Sequence, residues 1–114
     1  RKNTMKISVE GEIVELEIRD IAYIEALGHT LTFHVYNGTL PEKRLCCYST
    51  LSKMEAELDS QGFVRLHKSF IVNMAHIKKL TCDEVELKEG TKLRVSNKMY
   101  PVCRKKYMLW KGTR

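Results

Sequence analysis

Residues 63–80 read FVRLHKSFIVNMAHIKKL, and this mixture of apolar and cationic side chains decides how the rest of the chain is interpreted. The apolar members suit a protein core: Phe63, Val64, Leu66, Phe70, Ile71, Val72 and Ile77. The polar members threaded between them are mostly cationic: Arg65, His67, Lys68, His76, Lys78 and Lys79. The stretch is either an ordinary amphipathic segment with a solvated face, or a core segment that presents cations to an anionic partner.

Length and composition indicate one globular domain, because the chain has 114 residues with 43% hydrophobic and 30% charged side chains. Its net charge of +6 is unevenly distributed. Residues 1–57 carry 7 basic and 9 acidic side chains, whereas residues 58–114 carry 13 basic and 5 acidic ones. This asymmetry favours a face directed at phosphate, in nucleic acid or in an anionic membrane surface, although solvation of a small domain also accounts for it.

The absence of targeting signals predicts a soluble, cytoplasmic protein. No apolar run approaches the roughly 20 residues needed to cross a bilayer, and no stretch resembles a signal peptide. The four cysteines make no CxxC pair, so we expect reduced thiols that act as small core residues. We expect residues 1–4 to be a linker remnant, residues 5–110 to be the domain and residues 111–114 to be a tail.

The period of the hydrophobic pattern predicts short strands and two helices. Alternation of apolar and polar residues marks strands at 5–9, 13–18, 22–27, 30–36, 39–47, 63–67, 76–81, 84–88 and 92–95. Helical spacing marks 49–62, with Ser49 or Thr50 as N-cap and Gly62 at the end, and a last helix starting near Ser96. Because most strands are joined as hairpins, the predicted fold class is α+β, mainly β and antiparallel.

Three connections carry more specific expectations. Asn37-Gly38 is predicted to form a type I′ hairpin turn, and Pro41 to mark an edge strand or a bulge. Residues 68–74 fit neither the strand nor the helix period, so we predict a turn there.

The sequence lacks catalytic and metal-binding motifs, which predicts that the protein is not an enzyme. It contains no P-loop, GxGxxG, GxSxG or HExxH pattern. The four histidines are scattered, and none has the spacing of a metal ligand from another His or Cys. We therefore expect no catalytic residue, no metal site and no cofactor. His34 and His67 lie on polar phases of their strands, so we expect both to face solvent.

Two groups of polar side chains are candidates for binding an anion. Arg65 and Lys68 flank the point at which a strand gives way to a turn, and Asn97 and Lys98 open the final helix. Lys and Arg pair with phosphates or with guanine O6 and N7, and Asn bonds adenine bidentately. Orphan N–H groups at a helix start also favour an anion. The alternative is a cationic, solvated face.

Three motifs together resemble the LytTR DNA-binding domain. Residues 63–80 are similar to its signature, F-x-R-x-H-[KR]-S-[FY]-[IVL]-V-N followed by an Ile. Residues 20–29, DIAYIEALGH, are similar to its D-I-x-Y-[IF]-E stretch, and Ser96 with the residues up to Tyr100 fits its second motif. Some members carry a redox-active cysteine in the first motif, where this chain has Leu66, so that switch is not implied.

This resemblance implies small antiparallel sheets in an elongated β-β-β arrangement, with one short helix and one C-terminal helix. Loops between strands, rather than a recognition helix, would enter the DNA major groove. The implied role is transcriptional regulation, as the output domain of a two-component response regulator with a receiver domain N-terminal to it. The implied partner is double-stranded DNA. The domain would bind pairs of direct repeats in promoters and bend the DNA. We expect a monomer in isolation that is paired on DNA, and no membrane partner.

The resemblance also assigns roles to individual residues. His29, Lys68, and Asn97 or Lys98 would contact bases. Phosphate contacts would come from Ser69 and Arg65, together with Lys78 or Lys79. His67 and Asn73 would hold the loop together.

Two other functions remain open from the sequence. An RNA-binding β module would need exposed aromatic rings on a sheet face, for which Tyr23, Phe33 and Tyr36 are the candidates. A protein-interaction or membrane-surface module would use the basic C-terminal half electrostatically and without sequence preference.

Overall fold

The computed structural model describes residues 3–113, which form ten strands, two α-helices and three short 3-10 turns. The strands are β1 (Thr4–Val9), β2 (Glu12–Glu17), β3 (Ile21–Leu27), β4 (Thr30–Val35), β5 (Lys43–Tyr48), β6 (Phe63–His67), β7 (Phe70–Asn73), β8 (Ile77–Leu80), β9 (Glu84–Leu87) and β10 (Lys92–Arg94). The helices are α1 (Leu51–Leu58) and α2 (Tyr100–Gly112). The start of the expected linker remnant (Arg1, Lys2) and the last residue of the expected tail (Arg114) lie outside the described residues.

The strands form three antiparallel sheets of two, five and three strands. The first contains β1 and β2, the central sheet has the order β5-β4-β3-β7-β6, and the third has the order β10-β9-β8. The molecule measures 38 × 29 × 28 Å along its principal axes. This architecture confirms the predicted fold class, α+β and mainly β, with small antiparallel sheets in a β-β-β arrangement, one short helix and a C-terminal helix.

The central sheet is buried on both faces, so the domain has two cores. The first core lies between the sheet, the β1–β2 hairpin and α1, and includes Ile7, Leu16, Ile24, Phe33, Met54 and Ile71. The second lies between the sheet, the three-stranded sheet and α2, and includes Val64, Leu66, Val72, Val85, Leu87 and Cys103. The β1–β2 hairpin thus covers one face, and α2 belongs to the layer on the other.

The prediction of a turn at residues 68–74 was wrong, because only Lys68 and Ser69 turn and β7 follows at once. β7 pairs with β3 on one side and β6 on the other. Its Ile71 enters the first core and its Val72 the second. A strand buried on both faces reads as a continuous apolar run, which hides the alternation used to predict strands.

The predicted type I′ turn at Asn37-Gly38 is also wrong. Val35 pairs with Lys43, so β4 and β5 are joined by a seven-residue loop, 36–42. A type I′ turn needs positive φ at both central residues, and here only Gly38 has it, at 101°. Pro41 lies in this loop rather than in a strand, and β5 is an edge strand, as Pro41 suggested.

The first helix begins and ends for the predicted chemical reasons, whereas the second has Met99 rather than Ser96 as its N-cap. The Thr50 hydroxyl accepts from the Lys53 N–H at 3.2 Å, and Gly62 closes the segment with φ of 86°. α2 begins at Tyr100, four residues later than predicted, although the Ser96 carbonyl accepts from the Tyr100 N–H. No helix within residues 3–113 is long and apolar enough to span a membrane.

Two of the four thiols, those of Cys47 and Cys103, are core side chains, as predicted, whereas Cys46 and Cys82 are exposed. Burial raises the pKa of the Cys103 thiol to about 11. That thiol therefore stays protonated at neutral pH and packs as a small apolar group.

His34 is buried, with 5% of its surface exposed, so the prediction that it faces solvent was wrong. Its Nδ1 lies 2.9 Å from Glu42 Oε1, its Nε2 lies 3.3 Å from Glu25 Oε1, and its ring stacks on Tyr23. Each ring nitrogen thus lies beside a carboxylate oxygen, one from loop 36–42 and one from β3. The sequence carries no sign that loop 36–42 brings Glu42 back over this ring.

The state of Glu42 follows from opposing effects. Burial disfavours its ionised form, but hydrogen bonds with His34 and Arg44 outweigh burial, so the pKa of Glu42 lies below its usual range. The carboxylate is therefore ionised at neutral pH and ties loop 36–42 to β4.

We predict that Glu42→Gln destabilises the fold by about 1.5–3 kcal/mol at neutral pH, the usual contribution of a hydrogen bond to a charged group. Because the pKa of Glu42 is lowered in the folded state, its contribution is present above the unfolded-state pKa and is lost as pH falls through the folded-state pKa. Urea unfolding at a series of pH values should show the two stabilities converging in acid. Glu17→Gln, on an exposed strand face, is the control and should change stability little. A loss that stays constant down to the lowest pH would contradict this account.

Candidate nucleic-acid interface

Two turns lie side by side at one end of the central sheet. The β3–β4 turn consists of Gly28 and His29, and the φ of 63° at Gly28 is one that a side chain would strain. The β6–β7 turn consists of Lys68 and Ser69. Because β3 and β7 are neighbours, the two turns are adjacent, and the Ala26 N–H donates to the Ser69 carbonyl at 2.9 Å.

A third segment, which joins β10 to α2, reaches the same end. The Ser96 N–H donates to the Leu66 carbonyl at 2.9 Å, so the segment runs beside the last residues of β6. Asn97 and Lys98 follow, and both are exposed. Leu66 precedes Lys68 by two residues, which places this segment next to the β6–β7 turn.

The guanidinium of Arg65 holds the β6–β7 turn from beneath. Its Nε donates to the His67 carbonyl at 2.8 Å and its Nη2 donates to the Lys68 carbonyl at 2.6 Å. Its Nη1 donates to Glu55 Oε1 on α1 at 2.9 Å. The side chain is 19% exposed, so these charge-assisted bonds are only partly accessible to solvent. The backbone that carries Lys68 is therefore fixed, while the Lys68 side chain itself is exposed.

His67 holds the same turn from within it. Its Nδ1 accepts from the Ser69 N–H at 3.1 Å, which leaves the ring proton on Nε2 when the imidazole is neutral. Its ring packs against Phe70, so His67 is half-buried rather than solvent-facing. Phe70 is also half-buried, whereas its neighbours Ile71 and Val72 are fully buried. Phe70 therefore contributes less to fixing this part of the chain than they do.

Asn73 and His76 stabilise the opposite end of β7. The Asn73 Nδ2 donates to the Ile21 carbonyl at 3.0 Å, and its Oδ1 accepts from the Ala75 N–H at 3.0 Å. The His76 Nε2–H donates to the Arg19 carbonyl at 2.7 Å. Asn73 is thus a buried structural residue, but it holds the far end of the strand and not the Lys68 turn.

The structure brings together five of the residues that the resemblance assigned to DNA: His29, Lys68, Ser69, Asn97 and Lys98. Arg65 lies beneath them, with its guanidinium already bonded to the protein. Lys78 and Lys79 lie on β8, an edge strand of the three-stranded sheet, and the Lys78 ammonium is 3.8 Å from Glu86. The structure thus gathers the three segments that the resemblance assigned to base contacts but leaves these two lysines on a different sheet.

Two features of this end were missed from the sequence. Glu55 orients Arg65 from α1, and no local pattern connects residues ten apart on different elements. Lys92 and Arg94 line a cleft of about 640 Å³ that also borders His67 and Asn97. Their alternation with the buried Leu93 was a usable signal, because it places both cations on one face of β10.

Comparisons with known proteins match this architecture. The sequence profile of the LytTr DNA-binding domain matches residues 11–108. The sensory transduction protein LytT from Bacillus anthracis is 29% identical over 97 residues, which is 81% of this chain and 37% of LytT. The CO-responsive transcriptional regulator RcoM from Rhodospirillum rubrum is 33% identical over 69 residues, 60% of this chain and 27% of RcoM. The chain therefore spans well under half the length of these relatives.

A solved LytTr DNA-binding domain from Bacillus cereus superposes with a TM-score of 0.78, covering 93% of this chain and 97% of that one at 22% identity. At this identity the superposition shows that the fold is shared. The profile match covers most of the chain and contains all three segments gathered at the end of the central sheet. The chain therefore belongs to the LytTR family of DNA-binding domains.

Proposed function

We propose that this domain binds double-stranded DNA sequence-specifically, by inserting the β3–β4 turn, the β6–β7 turn and residues 97–98 into the major groove. Each domain binds one repeat of a promoter direct repeat, as a monomer in solution that is paired on DNA. It is the output domain of a two-component response regulator, with a receiver domain N-terminal to it.

The observation that carries this proposal is that the backbone of the β6–β7 turn is held in place by hydrogen bonds. The β3–β4 turn and the segment with residues 97–98 lie beside it. Side chains on a mobile loop would lose conformational entropy on binding, which lowers affinity. Here the side chains of Arg65 and His67 make hydrogen bonds with the backbone of residues 67–69, so Lys68 leaves a backbone that is already ordered. Backbone hydrogen bonds also join the end of β3 to Ser69 and the segment at Ser96 to β6.

The exposed side chains have the chemistry of base recognition. Lys68 can donate to guanine O6 and N7, and Asn97 can bond adenine bidentately. His29 and Lys98 add donors on either side. Ser69 would donate to a phosphate. Lys78 or Lys79 would contact the DNA backbone only where the DNA also reaches the three-stranded sheet.

Arg65 has a different role in this proposal from the one that the resemblance implied. Its Nε, Nη1 and Nη2 each already donate to an oxygen of the protein, and its side chain is mostly buried. We therefore assign Arg65 to positioning Lys68, rather than to direct contact with a phosphate.

The two alternative functions are less well supported. The RNA-binding hypothesis needs several exposed aromatic rings on one sheet face. Tyr23 and Phe33 are buried and Tyr36 is half-buried, so within residues 3–113 Tyr48 on β5 is the one exposed ring among the Phe, Tyr and Trp side chains. A surface that binds polyanions merely by charge would not need an ordered turn, and the salt dependence of binding separates it from a base-reading surface.

The experiment that tests the proposal is selection of bound sequences from random duplex DNA, followed by anisotropy titrations over a range of salt concentrations. A recovered motif that contains two similar half-sites in direct repeat is the expected result. Absence of a motif, with binding that vanishes as salt rises, would leave only a general polyanion surface.

We predict that Lys68→Ala weakens binding to the selected duplex by about 5- to 150-fold, since one lost base contact costs about 1–3 kcal/mol. Its melting temperature should not change, because the side chain is exposed. Lys88→Ala is the matched control: it removes the same charge from an exposed site next to His76, at the far end of β7. Equal losses in both variants would show that charge alone governs binding.

We predict that Arg65→Lys and Glu55→Gln both reduce specific affinity without changing the dependence of log Kd on log salt. Lys keeps the charge but lacks the planar fork that bonds two carbonyls at once. Loss of a direct phosphate contact would instead lower the salt slope by about 1. Anisotropy titrations at several salt concentrations distinguish the two roles. Strong specific binding by Arg65→Lys would contradict the positioning role.

A further inference from the structure

The β1–β2 hairpin and α2 present opposite charges from opposite sides of the molecule. Residues 4–17 carry four glutamates and one lysine, a net charge of −3, whereas residues 100–112 carry four basic side chains and no acidic one. β1 packs beside β5, and α2 packs beside β6. Since β5 and β6 are the two edge strands of the central sheet, the acidic and basic elements flank it.

The outer face of the β1–β2 hairpin combines acidic groups with exposed apolar surface. Ile13 is 70% exposed, and Glu15 and Glu17 share its side of β2. This face borders a cleft of about 520 Å³ between the hairpin and loop 36–42, which Asp20 and Leu40 also line. Leu40 is itself exposed, so the cleft offers apolar contacts within a rim that carries three carboxylates and one cation, Lys43.

The outer face of α2 has the complementary composition. This face exposes three apolar side chains, those of Val102 (60%), Met108 (57%) and Leu109 (63%). Lys105 stands among them at helical spacing, and Arg104 stands beside it. Within residues 3–113, neither of these two cations takes part in an ion pair or hydrogen bond, whereas Lys106 on the inner side bonds Asp59.

Part of each surface is displaced from the proposed DNA-binding end, whereas Arg104 and Lys105 lie in the first half of α2, nearer to the turns. Loop 36–42 follows β4 at the end of the sheet opposite the β3–β4 turn. α2 starts beside the last residues of β6, and Trp110 near its other end lies against Gly62, just before β6 begins. The exposed residues near the C-terminal end of α2 and the acidic cleft are therefore both displaced away from the DNA-facing turns.

We propose that adjacent copies of this domain on a direct repeat contact each other head to tail, with α2 of one copy against the acidic hairpin and cleft of the next. This inference rests on the proposed function, because a direct repeat places the copies in the same orientation. Two copies related in that way must use two different surfaces, whereas copies related by a two-fold axis use the same one. An amphipathic helix seated in a complementary groove is a common mode of recognition.

The test measures cooperativity on the selected DNA. Three duplexes are compared: one half-site, two half-sites at the selected spacing, and two half-sites with about five added base pairs, half a helical turn. On the second duplex we expect the first bound copy to raise the affinity of the next about tenfold, which lies within the usual range of coupling between sites. The added half-turn should abolish this gain.

Charge-reversal variants identify the surfaces. A hairpin variant (Glu15→Lys with Glu17→Lys) and a helix variant (Arg104→Glu with Lys105→Glu) should each lose cooperativity alone. An equimolar mixture should regain it, because a copy with an intact helix can stand beside a copy with an intact hairpin. This recovery also shows that both variants fold. The single half-site measures any effect of the altered charge on DNA affinity itself.

The outcomes separate the two proposals. Normal binding to one half-site without cooperativity in the unmodified chain, or with cooperativity that both variants retain, would overturn the head-to-tail contact alone. Failure to bind the single half-site would refute the proposed function and the tandem arrangement together. Loss of cooperativity that the mixture does not restore would also overturn the contact.

Discussion

Pairing of β3 with β7 is the constraint on which the rest of the structure depends. It joins two hairpins that are distant in the chain into one sheet, through Ile24 opposite Ile71 and Tyr23 opposite Val72. The first pair enters one core and the second pair enters the other. A slip of one residue would exchange the two sets of side chains between the cores, so burial on both faces fixes the register. The same register sets Ser69 against Ala26 and so aligns the two turns.

Arg65 extends this order from the sheet to the turn. Its strand position faces the α1 side, where Glu55 neutralises and orients the guanidinium, and its remaining donors reach two carbonyls of the turn. A buried, bonded arginine is costly to place if any partner is lost, so its three bonds must form together. The result is a turn whose backbone depends on α1, although α1 does not itself approach the DNA in the proposed arrangement.

Features with a strong local signal were predictable from the sequence. The Thr50 cap, Gly62 and most strand alternations fall where expected, and the motif within residues 63–80 indicates the family by its local pattern alone. The errors share one cause, which is contact with distant residues. Ile71 and Val72 lose their alternation because each meets a different core, and His34 is buried because Glu42 returns from loop 36–42. Likewise, the sequence marked Arg65 as a cation but did not show that Glu55 and two carbonyls already engage it.

The fold separates in space the acidic and basic residues that the sequence divides between its two halves. A single basic surface would suffice to bind DNA, but the acidic hairpin and the basic helix lie on opposite flanks of the central sheet. Two different surfaces that bind each other leave one free surface of each kind at the ends of the assembly. A strong contact would therefore polymerise the free protein into filaments. Solubility therefore requires the contact to be weak on its own. In the proposed arrangement DNA would remove that conflict, because two adjacent half-sites would hold the copies at a high effective concentration and limit the assembly to the number of repeats. A weak contact between α2 of one copy and the acidic hairpin of the next would thus favour binding to tandem sites and would leave the free protein monomeric.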